Sequence, residues 1–146
     1  MPTDLGQPFQ QSWRGSYPHM LDVDKPVWDL FLDRNPNLFK RLYYDVRVGG
    51  VYPAPEYGDE KMRKMFYDTT AKRIDALGEL EDEIWIIEVA TRPGLRAVGQ
   101  IQTYIALWWE DPKITKPAKP VLVCQSIDAD LERSLAFYGV LLRYAI

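Results

Sequence analysis

A chain of 146 residues, 47% of them hydrophobic, can fill one core and hardly two. Its 18 basic and 21 acidic residues leave a formal net charge of −3, which excludes general attraction to phosphate backbones and requires any nucleic-acid contact to use a local basic groove. A single cysteine excludes a disulfide framework and a cysteine zinc site, and a single histidine leaves little for a histidine triad.

Residues 1–23 carry Pro2, Pro8, Pro18, Gly6 and Gly15 without helical or strand periodicity, and read as an extended arm ahead of a domain over residues 24–146. Phe9, Trp13, Tyr17, Met20 and Leu21 make the arm too apolar for a solvated tail. It is expected to lie on a surface, either that of its own domain or that of another subunit. His19, within it, is expected to be incidental. No stretch approaches the roughly 20 apolar residues of a membrane span, and no basic-then-apolar leader opens the chain. The expectation is a soluble protein of a reducing compartment, cytoplasmic or part of a virion.

Asp24-Lys25-Pro26 opens a helix in which Val27, Leu30 and Phe31 follow at helical spacing, and Asn35-Pro36 stops it. Leu42–Val48 is rich in β-formers and ends at Gly49-Gly50, so it reads as a strand. Residues 59–71 fit a weak helix or an ordered loop. Two strand-like runs, 72–80 and 83–91, flank the acidic turn Glu81-Asp82, and the second is apolar on both faces, as a central strand is. Leu95 to Glu110 is the strongest helix, with Val98, Ile101, Ile105 and Trp108 in one stripe. A strand over Val121–Ile127 and a last helix from Asp128, with Leu131, Leu135, Tyr138 and Leu142 on one face, complete the order α-β-β-β-α-β-α. Cys124 reads as a small buried hydrophobe.

A hairpin centred between Glu81 and Asp82 sets Asp75 directly opposite Glu88 and Arg73 opposite Ala90. Two carboxylates at cross-strand distance repel, and a divalent cation, a shared proton or an arginine can each compensate them. Arg73 is the nearest arginine, and a buried Arg73–Asp75–Glu88 cluster needs no metal.

Arg73-Ile74-Asp75, then Ile86-Ile87-Glu88-Val89-Ala90, then Gln100-x-x-x-Tyr104 on the following helix resembles the strand, strand and helix of PD-(D/E)XK nucleases, particularly the RecB-like branch. The likeness covers about residues 24–127. It implies an α/β fold with an αβββαβ core, a mixed sheet flanked by helices, Asp75 and Glu88 as Mg2+ ligands, and Gln100 and Tyr104 supporting the site and touching nucleic acid. The family's lysine, which orients the attacking water, corresponds to Ala90 here. Arg73 or Arg92 is a poor substitute, because arginine is a weak base.

Gly94 to Gly99 has phosphate-loop spacing without the Lys-Ser/Thr that follows in such loops, so it reads as a tight turn. Arg92 and Arg96 stand near the helix start it leads to. Lys113, Lys116 and Lys119 are solvated surface or a modest basic lip. Trp109 points away from its helix's stripe and is either covered by the arm or last helix, or is an interface anchor together with Phe9, Trp13 and Tyr17.

Two functional expectations result. The first is a non-catalytic building block on a degenerate nuclease fold, needing no cofactor and docking by its arm into a homo- or hetero-oligomeric assembly, by analogy a phage neck or tail. The second is a Mg2+-dependent nuclease with Asp75 and Glu88 as metal ligands, acting on DNA.

Overall fold

The computed structural model describes residues 2–146. Helix α1 (Lys25–Arg34) begins at Pro26 in its first turn and buries Val27, Trp28, Phe31 and Leu32. Strand β1 (Arg41–Val48) follows, then a single 3₁₀ turn at Pro55–Tyr57 and helix α2 (Glu60–Thr70). Asp59 caps α2 by accepting from the Met62 N–H at 2.8 Å, which turns the charged segment expected to be helix or loop into a helix. Strands β2 (Lys72–Glu79) and β3 (Ile84–Ala90), helix α3 (Arg96–Glu110), strand β4 (Ala118–Cys124), helix α4 (Ala129–Phe137) and strand β5 (Leu141–Tyr144) complete the chain.

The five strands lie in sequence order, antiparallel from β1 to β3 and parallel from β3 to β5. This is the expected α/β architecture, a mixed sheet with helices on both faces. On one face α1 and the arm cover Leu42, Tyr44, Ala76, Ile87 and Val121. On the other, Tyr104 and Trp108 of α3 cover Leu77, Ile84 and Ile86, while Ala97 and Ile101 meet α4 over Leu122. No helix among the described residues is long and apolar enough to cross a membrane.

The chain's end departs from the expected helix. Gly139, at φ +75°, ends α4 in a closed cap: its N–H donates to Ala136 O (3.1 Å) and that of Val140 to Leu135 O (2.9 Å). Val140 and Leu135 pack together below the cap, and the residues expected to extend the helix form β5 instead.

The arm lies on its own domain. Backbone bridges join Asp4 to Arg47 and Phe9 to Leu42, so the arm covers the outer edge of β1. Tyr17 and Met20 are buried, and Phe9 and Trp13 pack against Tyr44 at ring separations of 5.5 and 5.8 Å. The arm residues expected at an interface therefore spend their apolar surface inside this chain, whereas Trp109 stays half exposed.

Candidate functional site

The site grows from a local failure of the sheet. Strands β2 and β3 pair from Glu79↔Ile84 to Ala76↔Ile87, the register expected of a turn centred between Glu81 and Asp82, and their pairing ends there. Beyond it the carboxylate of Asp75 takes the place of a ladder partner: Oδ2 accepts from the Val89 N–H at 2.9 Å. Asp45, at the corresponding point of β1, has φ +53° between the pairs Tyr44↔Ala76 and Val46↔Ile74, so the neighbouring strand is distorted at the same level. On its other side β3 keeps its pairing with β4 as far as Ala90↔Cys124.

Asp75 and Glu88 are both buried, each 8% exposed, and lie at the floor of a cavity of about 380 Å3. The two carboxyl groups hydrogen-bond each other. Burial is the largest cause raising Glu88 above the usual carboxylate range, followed by the charge of Asp75 and the hydrogen bond to it; Asp24 adds a smaller push. Burial also raises Asp75, while the hydrogen bonds from Glu88 and the Val89 N–H pull the other way. Both carboxyls are raised, so the pair favours holding one proton between them over carrying two negative charges.

Arg73 is not the neutralising neighbour expected of it. Its Nη1 lies 3.5 Å from Asp45 Oδ2, in a network in which Arg47 also approaches Asp45 (3.7 Å), Asp68 (3.2 Å) and Asp4 (3.9 Å). Among the described residues no salt bridge reaches Asp75 or Glu88. The lysines read as solvated surface or a modest basic lip are likewise ion-paired, Lys113 with Asp111, Lys116 with Glu79 and Lys119 with Glu83.

Gln100 and Tyr104 do line the cavity, from one face of α3. Burial raises the Tyr104 hydroxyl, the charges of Glu88 and Asp75 raise it further, and Arg96 and a hydrogen bond with Gln100 oppose them. Three further residues of the cavity were not assigned to it by the sequence. His19 comes from the arm and lines the cavity together with Asp75. Asp24, at the start of α1, accepts from both the N–H (2.8 Å) and the hydroxyl (2.9 Å) of Thr91, stapling α1 to the end of β3. Arg96, from the first turn of α3, is the third. The helix-cap pattern at Asp24 and the arginines flanking Gly94 were the available signals; nothing local placed His19 here. Ala90 lines the cavity too, and offers it no functional group.

A larger cavity of about 580 Å3 lies beside α2 between Tyr52, Tyr57, Met62 and Phe66. Its one charged group, Arg63, stacks 4.8 Å over the Tyr52 ring. It has no acid, base or nucleophile converging on a point, so the smaller cavity is where chemistry is supported.

The residues at the acid pair fit a hard divalent cation. Carboxylate oxygens suit Mg2+, Mn2+ or Ca2+. A pair that otherwise favours holding a proton, with no salt bridge to a cation among the described residues, gains most from exchanging that proton for a metal. No group of three or more His, Cys, Asp or Glu side chains converges to hold a metal among the described residues, so such an ion would complete its shell with backbone carbonyls, water or substrate oxygen. Comparison with known proteins adds no relative: no family model, no curated protein and no solved structure matches the chain.

Proposed function

We propose that this chain is a divalent-cation-dependent phosphodiesterase acting on nucleic acid, with Asp75 and Glu88 as metal ligands. One observation carries this reading: the acid pair is buried, opens into a cavity, and has no salt bridge to a cation among the described residues, Asp45 holding Arg73. An inert structural pair has little reason to leave the arginine closest to it in sequence on another carboxylate, since two buried carboxyls held together only by a proton lose stability as pH rises. A bound cation would polarise a phosphoryl oxygen and lower the pKa of a coordinated water.

The chain's own residues contribute around that ion. The Val89 N–H orients Asp75. Tyr104, kept neutral by burial beside the acids, donates a hydrogen bond rather than a charge. His19 and Arg96 both line the cavity: a neutral His19 imidazole is able to take a proton from water, and the Arg96 guanidinium is able to offset charge developing on phosphate. The PD-(D/E)XK likeness supports the same assignment for Asp75, Glu88, Gln100 and Tyr104.

A second reading, a building block on the same fold in a larger assembly, is favoured by Ala90, which stands where the related nucleases carry lysine. The half-exposed Trp109 and the exposed Phe137 give such a block contact surface. Incubating purified protein with single-stranded and duplex DNA, with Mg2+ or Mn2+ and with EDTA, separates the two. The nuclease reading expects metal-dependent cleavage that Asp75→Asn abolishes; no cleavage of either substrate with either metal favours the building block.

A further inference from the structure

We infer that a nucleic-acid backbone crosses the acid pair along one groove, held by Arg92, Arg96 and Lys72, an assignment that rests on the metal reading above. The cavity over Asp75 and Glu88 does not stand alone. A second cavity, about 360 Å3, shares Glu88, Ala90, Arg96 and Gln100 with it and extends to Arg92. A third, about 510 Å3, shares Arg96, Gln100 and Tyr104 with it and extends past Gly99 to Lys72. The three form a continuous groove over the first half of α3, with the carboxylates at its middle, Arg92 at one end and Lys72 at the other.

The cations of this groove differ from most others in the molecule. Lys40, Arg41, Arg47, Arg73, Lys116 and Lys119 lie within salt-bridge distance of carboxylates. Among the described residues, Arg92, Arg96 and Lys72 have no such partner: Arg92 touches only the Ser126 hydroxyl at 3.4 Å, and Lys72 the Thr70 carbonyl at 3.0 Å. In a chain of net charge −3, unpaired cations set along one groove are the local basic track that phosphate contact requires. The groove carries no exposed aromatic ring on which bases stack, so recognition is of phosphates rather than of sequence.

Gly99 makes the groove testable without disturbing the fold. A Cβ there meets nothing within 4 Å, and the residue sits inside α3, where any ordinary side chain favours helix over glycine. Binding of fluorescein-labelled 20-mers, one DNA and one RNA, is to be measured by anisotropy in calcium for wild type, Gly99→Glu, Arg92→Glu and the off-groove control Lys61→Glu. The groove predicts wild-type binding with a log–log salt slope of roughly −2, as three contacts at about −0.7 each require. It predicts at least tenfold weaker binding for Gly99→Glu and Arg92→Glu and unchanged binding for Lys61→Glu. The DNA and RNA arms show which polynucleotide it takes.

No binding by wild type, equal binding by Gly99→Glu, or an equal loss in Lys61→Glu overturns the track. Mn2+ binding on the same samples reports on the metal reading separately. Mn2+ bound alike by wild type and Gly99→Glu, with oligonucleotide lost only in the variant, supports both. Oligonucleotide binding sensitive to Gly99→Glu in a protein that takes no Mn2+ keeps the track and overturns the metal.

Discussion

Arg73 Nη1 lies 3.5 Å from Asp45 Oδ2, so the arginine closest in sequence to the acid pair is bound to a different carboxylate. Asp45 acts here through charge. Asp45→Asn keeps a side chain that tolerates the positive φ and removes the charge that retains Arg73. The expected result is Mn2+ affinity at the acid pair lowered about three- to tenfold, as a guanidinium released next to carboxylates competes with the ion. The double variant Asp45→Asn/Arg73→Gln recovers that affinity. Calorimetric titration of wild type and the two variants checks it, and a loss that the second substitution does not repair points to damage of the fold instead.

The raised carboxyl of Glu88 has a signed consequence for stability. A folded-state value above the unfolded one means that the native state holds a proton the unfolded chain has released, so stability falls as pH rises from the ordinary carboxylate range through the raised value. Glu88→Gln removes this slope. At pH 8 the variant is expected to melt about 3–6 °C above wild type, and at pH 4.5 the gap closes. Thermal melts at the two pH values measure it. Mg2+ is expected to stabilise wild type more at pH 8 than at pH 6, because it displaces the proton.

Much of this site was legible in the sequence because it depends on a short hairpin. The turn at Glu81-Asp82 fixes the register as far as Ala76↔Ile87, which brings Asp75 and Glu88 together just beyond the last pair. Gln100 and Tyr104 were equally accessible, since four residues on a helix share a face. The fate of Arg73 was not, because it turns on Asp45, nearly 30 residues away on a strand whose side-chain directions change at a left-handed residue. His19 reaches the cavity only because Tyr17 and Met20 anchor the arm on the sheet, a tertiary fact without local signal. The final strand has a different cause: Leu142 continues the helical spacing of Leu131 and Leu135, while the helix stop rests on the single glycine at 139.

The arm as part of the core carries its own expectation. Tyr17 is buried among Trp13 and Tyr44, with ring separations of 5.6 and 4.8 Å, and its hydroxyl donates to Asp29. Tyr17→Ala is expected to cost about 3–5 kcal/mol, as for other buried aromatics, and Tyr17→Phe about 1 kcal/mol. Urea denaturation of dilute protein reads both. A loss in Tyr17→Ala that appears only at concentrations where the protein self-associates places the arm's role between chains instead.

Gly78 offers a test of packing on the opposite side from the cavity. A Cβ there stands 2.3 Å from Phe39 Cε1, whose ring lies against the bare backbone of β2 and edge-on to Trp85. Gly78→Ala is expected to destabilise by about 1–3 kcal/mol through overpacking. Metal and oligonucleotide binding at moderate temperature stay as in wild type. A parallel loss of Mn2+ binding contradicts the independence of the two faces.

The space at Ala90 separates a weak enzyme from an inert fold. Ala90→Lys sets an ammonium at the cavity wall, where it is able to orient water and offset phosphate charge. At least a tenfold rise in metal-dependent cleavage is expected in a protein whose ligands are otherwise in place.

The most direct measurement is Mn2+ binding to the wild-type chain followed by electron paramagnetic resonance, alongside Asp75→Asn and Glu88→Gln. The account predicts one Mn2+ per chain, displaced by Mg2+, strengthened as pH rises from 6 to 8, and lost in both variants. Wild type that takes up no Mn2+, or variants that bind it as wild type does, contradicts the assignment of Asp75 and Glu88 as a metal site.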